Sequence, residues 1–390
     1  MPIKPSQVFQ CLEQKRDAFA QFDKRAVRLL QQYKTALKDF VTLSDEGRSH
    51  LLDSHPQPLG ARPLEPVAVA EQGVVPGPGQ WNNREESMDW VRDRLTGITT
   101  FAVDGSQIYP GKDLSIPVAL VQIGWFENQH LPTGGYEKDI QLDVLTPHDL
   151  KAGHSGEPVD RLVNMRRFGM ETQRLVDYME AHSGDERCLL FLDGSLVATF
   201  ARSFEPEVRQ FYVDCLLGVL RASEQHRVAL VAYIDTTYAD DLTGMLRSLY
   251  DLPTANTIHD AQLVNSLKLA WGDRTPMFRC ERADILQNYA EQSDRIAFTY
   301  LKTTRDNYPA RIELPQWIVD ENRHNEILDW VRGEVIIGSG YPYAIETADQ
   351  TAVLKVEDRA LFFRVLQDWA NQQELNLRLS RKMVSKARRR

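Results

Sequence analysis

Two hexads in the 390-residue chain, FAVDGS (Phe101 to Ser106) and LFLDGS (Leu190 to Ser195), each place an aspartate at the end of a short apolar run and follow it with Gly-Ser. Taken singly, Asp-Gly is an ordinary turn closing a strand. The same pattern twice within one domain-sized span makes Asp104 and Asp193 candidate partners across a sheet. Carboxylates at strand ends are rigid hard-oxygen donors of the kind Mg²⁺ or Mn²⁺ takes in octahedral geometry. Between the hexads, the run Met165-Arg166-Arg167-Phe168-Gly169-Met170-Glu171-Thr172 adds a third acid and two cations.

The elements that must carry these residues can be read from periodicity. Thr99–Val103 reads as a strand ending in Asp104-Gly105-Ser106, and Ile116–Phe126 and Tyr136–Leu145 as two more, so an antiparallel meander is expected. Asp160–His182 has helical spacing and leads into the apolar strand Cys188–Leu192. A helix over Glu205–Gln225 and a strand over Arg227–Asp235 continue the alternation, which predicts an α/β fold with a mixed sheet flanked by helices. Upstream, Pro5–Leu43 has apolar residues at helical spacing and reads as one long helix or a helical hairpin, an N-terminal helical extension. His55–Gln80 is too rich in proline for a helix or a central strand and reads as a linker or extended arm. The expected domains are a helical region over 1–54, a Pro/Gly-rich linker with a short helix over 55–98, a core over 99–356, and a C-terminal helix with a basic tail over 357–390.

An acid on the first strand, an acid on the following helix and an acid on the next strand is the order found in ribonuclease-H-like folds. FAVDGSQ, MRRFGMET, LFLDGSL, YLKTTRDNYPARIELP and GYPYAIETAD, in this order, together resemble the NurA family of DNA-end-processing nucleases. The resemblance spans roughly Thr99 to Val356. It implies a ribonuclease-H-like domain in which Asp104, Glu171, Asp193 and Asp349 hold Mn²⁺ or Mg²⁺, two ions in all. Asp177 and Glu180, on the same helix as Glu171, are alternative occupants of the helix position. It also implies a metal-dependent deoxyribonuclease acting on DNA ends in double-strand-break repair, as a 5′-3′ exonuclease or single-strand endonuclease. Its partners would be a HerA-type hexameric ATPase and a second copy of itself, as a homodimer. Arg166, Arg167, Lys302 and Arg311 are candidate clamps on the DNA backbone, where cations position without reading sequence. Each also has a structural reading, as a surface residue or an ion pair inside the fold. Tyr109, Trp125 and Tyr341 lie near the motifs and are candidates for stacking on bases, with core packing the competing role for Trp125.

Charge and composition narrow the classes further. With 46 Lys and Arg against 55 Asp and Glu, the net charge of −9 argues against a charge-coated, nonspecific nucleic-acid binder, yet it does not exclude a nuclease, whose carboxylate-built site is acidic until metal ions occupy it. Four separated cysteines (Cys11, Cys188, Cys215, Cys280) form no C-x-x-C pair, so thiols are expected rather than zinc or disulfides. The histidines form no H-x-x-x-H, and the chain has no G-x-x-x-x-G-K-[ST], G-x-G-x-x-G or G-x-S-x-G. No apolar run could cross a bilayer and the first ten residues lack the core of a secretory signal, so a cytoplasmic protein without membrane contact is expected. Arg378 to Arg390 holds seven basic residues and no acid, and reads as a solvated tail or a phosphate-contacting arm. Two other readings stand beside the nuclease: a NurA-like scaffold without catalysis, and an actin-like ATPase, which predicts duplicated halves that the sequence lacks.

Overall fold

The computed structural model describes residues 3–55, 57–67, 73–79, 81–111, 114–150, 159–254 and 257–377. The basic tail over 378–390 lies outside the described residues. Nine strands are present among the described residues: β1 (Gly60–Pro63), β2 (Thr99–Ile108), β3 (Ala119–Asn128), β4 (Tyr136–Leu145), β5 (Cys188–Asp193), β6 (Ala229–Ile234), β7 (Phe278–Glu281), β8 (Ile296–Leu301) and β9 (Ala310–Pro315). The helices that bear on the argument are α1 (Pro5–Glu13), α2 (Arg16–Thr42), α3 (Val159–Ala181), α4 (Pro206–His226), α5 (Asp241–Leu249), α6 (Tyr343–Ala352) and α7 (Val356–Gln372). The chain divides into two compact units, one comprising 1–80, 234–286 and 294–312, the other 81–233, 287–293 and 313–390.

In the second unit the strands run in the order β4-β3-β2-β5-β6. β2, β3 and β4 form the expected antiparallel meander, and β5 and β6 join in parallel on the other side of β2. This mixed sheet flanked by helices is ribonuclease-H-like, as predicted. β5 is apolar up to Leu192, and β2 is apolar over Phe101–Val103, where the two strands pair and are buried. β4 is exposed along nearly its whole length, with Glu137, Asp139, Gln141 and Asp143 alternating against Tyr136, Lys138, Ile140 and Leu142.

One expectation fails in an informative way. β2 does not stop at Asp104; it runs on to Ile108, paired with β3 along its length, while its parallel ladder with β5 ends at Val103↔Leu192. Asp104-Gly105-Ser106 therefore lies within a strand, whereas the chain does turn at Gly194, where φ is 131°.

The first unit contains the N-terminal helices and the strand order β1-β7-β8-β9. The N-terminal segment breaks at Gln14-Lys15 into α1, which buries no residue, and α2, which is buried only in its second half, through Tyr33, Ala36, Leu37, Phe40 and Val41. The proline-rich stretch, read as a linker or extended arm, contributes strand β1, which pairs with β7 from Gly60↔Glu281 to Pro63↔Phe278. β1 is an edge strand with Pro63 as its last residue, so the missing N–H costs the sheet little.

Candidate active site

The register of the two parallel strands sets the site. Because Val103 pairs with Leu192, the next residues, Asp104 and Asp193, stand side by side just beyond the end of the ladder. Neighbouring strands are about 4.8 Å apart, so two carboxylates in this register feel one another strongly. Asp104 is half-buried and its pKa is pushed up to about 6, first by burial and then by a hydrogen bond with the Asp349 side chain and the charges of Asp193 and Asp349.

Two helices bring up the other acids. On α3, Glu171 is buried, and its pKa is pushed up to about 7 by burial and by the nearby charges of Asp104 and Asp193, even though Arg167 opposes the shift. Arg167 Nη1 donates to Glu171 Oε1 at 2.5 Å and to the Gly105 carbonyl at 3.3 Å. Gly105 has a close-approach role rather than a turn role: a Cβ there would stand 2.3 Å from Glu171 Oε1. Asp177, by contrast, is exposed and accepts from Gln173, and Glu180 is exposed as well. Helix α6 carries Asp349 and is tied to the sheet at both ends. At its start the Ala344 N–H donates to Glu334, which also accepts from Thr100 of β2. At its end the Ala352 carbonyl accepts from Ser106 and Gln122.

Asp193 is held from two directions. Tyr341, just before α6, donates its hydroxyl to Asp193 Oδ1 at 3.0 Å. The loop after Asp193 is pinned by Glu313, fully buried, which accepts from Ser195 Oγ and the Leu196 N–H, both at 2.8 Å. This gives Glu313, in the run YLKTTRDNYPARIELP, a positioning role that the sequence alone did not reveal. Tyr341, read from sequence as a stacking residue, is instead a partner of the second aspartate.

The candidate phosphate clamps divide. Arg167 is bound to Glu171, and Arg166 is exposed and paired with Asp143 of β4 at 2.5 Å. Lys302 and Arg311 belong to the first unit and are buried there. Lys302 Nζ donates to Asn265 and to the Asn307 carbonyl, and Arg311 Nη1 pairs with Asp241 at 2.7 Å. For these two the structure gives the internal role, because a side chain enclosed by its own fold presents no donor to a phosphate. Tyr109 donates to Asn164, and Trp125 is buried beneath the guanidinium of Arg174, 4.3 Å from its ring.

Asp104, Glu171, Asp193 and Asp349 thus converge at one end of the β2–β5 ladder. They are all-oxygen donors, two of them with pKa values raised by burial and neighbouring acids, and a hard divalent cation would offset that crowding of negative charge. Their side chains are turned toward Asp349, Arg167 and Tyr341 rather than onto one point, and among the described residues no three Asp, Glu, His or Cys side chains are gathered as a ready ion site.

A mixed sheet with acids just beyond the end of the parallel β2–β5 ladder, and further acids on the helices beside them, defines an α/β protein of the ribonuclease-H-like class. The chain belongs to the NurA domain family, which it matches over residues 98–354. No curated protein matches it. Among solved structures it is similar to a NurA with manganese at 11% identity, covering 75% of this chain and 93% of that one with a TM-score of 0.41. A NurA bound to dAMP and manganese aligns at 11% identity over 70% and 89% of the two chains, TM-score 0.35. The catalytic domain of human endonuclease V aligns at 13% identity over 83% and 99%, TM-score 0.33.

Proposed function

We propose that the protein is a metal-dependent deoxyribonuclease that hydrolyses phosphodiester bonds at the Asp104–Asp193 end of the sheet. The observation that carries this reading is the register Val103↔Leu192, which sets two aspartates side by side where a third and a fourth acid also arrive. Asp104, Asp193, Glu171 and Asp349 would hold Mn²⁺ or Mg²⁺, two ions by family resemblance. Bound there, the cations supply the positive charge that phosphodiester hydrolysis needs at its attacking and leaving oxygens.

The remaining work falls to the protein itself. Arg167 orients Glu171, Tyr341 orients Asp193, and Glu313 fixes the loop that follows it. Arg166, exposed on the acid helix itself, is the clamp candidate best placed to meet a DNA backbone, by exchanging its Asp143 partner for a phosphate. DNA ends are the substrate class that family membership supports, with a role in double-strand-break repair. A HerA-type hexameric ATPase and a second copy of the chain are the proposed partners. The exposed apolar residues Phe9, Leu12, Phe19, Phe22 and Val27 on α1 and α2 support a partner surface there. No helix among the described residues is long and apolar enough to cross a membrane; a cytoplasmic location completes the proposal.

The test is to incubate linear single- and double-stranded DNA with the protein and Mn²⁺, EDTA, or ATP without divalent cation. Degradation only with Mn²⁺, lost in Asp104→Asn and Asp193→Asn proteins that remain folded, is the expected result. Degradation by either variant at the wild-type rate contradicts the site, and a wild type that leaves DNA intact in Mn²⁺ contradicts the activity and favours a scaffold.

A further inference from the structure

Beside the carboxylates, the same unit holds an aromatic cluster for which the proposed chemistry has no use. Phe200 lies on the loop that follows Asp193, a loop anchored by Glu313 and by Tyr289, whose hydroxyl accepts from the Ala198 N–H at 2.8 Å and donates to the Leu196 carbonyl at 3.0 Å. Its ring meets those of Phe168 at 6.0 Å, Tyr212 at 5.0 Å and Phe204 at 6.5 Å between centroids, each edge-to-face. Three neighbours therefore fix the ring, yet it remains 49% exposed. Edge-to-face neighbours hold an aromatic plane in a set orientation. A ring held this way, with half the residue in water, is ordered before any partner arrives.

Its position relative to the acids is given by α3. Phe168, against which Phe200 packs, directly follows Arg167, the residue that grips Glu171. Phe168 and Glu171 are three residues apart, about 4.5 Å along the helix axis and on neighbouring faces. Tyr212, the closest ring to Phe200, lies near enough to Arg167 and Glu171 to feel both charges. Arg161 stands 4.4 Å above the ring of Phe204 and puts a cation at the rim of the cluster. An aromatic face with cations at its margin, beside a phosphodiester-cleaving centre, has the composition of a single-strand binding platform: bases stack on the ring and the backbone follows the charge.

We propose that Phe200 stacks on a base of single-stranded DNA next to the bond that is cut, which makes single-stranded ends the preferred substrate. This deepens the nuclease reading and rests on it. The test measures binding without requiring cleavage: a single-stranded decanucleotide containing 2-aminopurine is titrated with the full-length protein in Ca²⁺. The wild type should quench the fluorophore by stacking. Phe200→Ala should lose the quenching and weaken affinity roughly tenfold, within the range of a single base–aromatic contact. Phe200→Leu, apolar but without a π-face, should fail in the same way, and Phe200→Trp should restore both signals. Because the ring is half exposed, thermal melts of the variants should stay close to the wild type, separating lost stacking from lost fold. Wild-type quenching and affinity in Phe200→Ala, or a wild type that binds without quenching, overturns the proposal. Cleavage of the same oligonucleotide in Mn²⁺ is scored separately: quenching without cleavage would sink the nuclease reading and leave the stacking platform standing.

Discussion

The two units each contain a buried cluster of carboxylates, and the clusters are built on opposite principles. In the first unit Asp241, at the start of α5, is enclosed by Arg282, with contacts of 2.5 and 2.6 Å, and by Arg311 at 2.7 Å. Burial alone would raise its pKa, but the two guanidiniums prevail and hold it down at about 2. Its neighbour Asp260 accepts from the Leu242 and Thr243 N–H groups of α5 and from Tyr300, whose hydroxyl in turn accepts from Arg311. Burial and the charge of Asp241 push Asp260 up to about 7. Anion, cation and donor answer one another in a network suited to holding a fold. In the second unit Asp104 is met by another acid, Asp193 by a phenol, and Glu171 by a guanidinium that fails to bring its pKa down. Charge answered from within serves structure; in the second unit burial and neighbouring acids raise Asp104 and Glu171 together, the excess of negative charge that the proposed metal site would use.

The comparison can be broken first at its strongest point. Removing one partner of a buried ion pair leaves the other charge uncompensated, so Arg311→Ala should cost about 3–5 kcal/mol of stability in urea denaturation. A loss below about 1 kcal/mol would show that the network does not hold the unit together.

The second test lies on α3. Glu171→Gln should reduce DNA cleavage by roughly 10- to 100-fold, the usual range when a metal site loses a supporting contact, while Asp177→Asn stays near the wild type. End-labelled DNA assays would decide it, and the reverse ranking would move the helix acid to Asp177.

The third effect is smaller and concerns pH. A carboxyl whose pKa is higher folded than unfolded contributes stability below its unfolded value, and that contribution is lost as the pH rises through its folded value. For Asp104 and Glu171 the ordinary values are 3.8 and 4.5 and the folded values about 6 and about 7, so the metal-free protein should lose stability between about pH 4 and pH 7. Asp104→Asn should flatten that slope and raise metal-free stability at pH 8 by on the order of 1–3 kcal/mol. Denaturation series in EDTA at stepped pH would measure it, and a slope unchanged in the variant would show that Asp104 is not repelled.

Much of the second unit could be read in sequence because local pattern and position coincide there. The meander, the acid helix and the two aspartate runs are contiguous segments whose periodicity declares them. What could not be read depends on pairs distant in sequence. Nothing local says that Glu313 reaches Ser195 and Leu196, or that Tyr341 reaches Asp193 across 148 residues. The continuation of β2 through Asp104-Gly105-Ser106 is decided by β3 alongside it, not by the Asp-Gly pair. Arg311 shows the same limit from the other side: an arginine in a motif looks the same in sequence whether it faces a phosphate or an aspartate in the core. β1 was hidden because proline content excludes a central strand and says little about an edge.

The most direct test of the unbalanced cluster is a calorimetric titration of Mn²⁺ into the metal-free wild type, Asp104→Asn and Arg311→Lys, the last altering a cation in the balanced network. Saturable binding by the wild type and Arg311→Lys, with affinity at least about tenfold weaker in Asp104→Asn, is the predicted result. Equal Mn²⁺ affinity in the wild type and Asp104→Asn would contradict it.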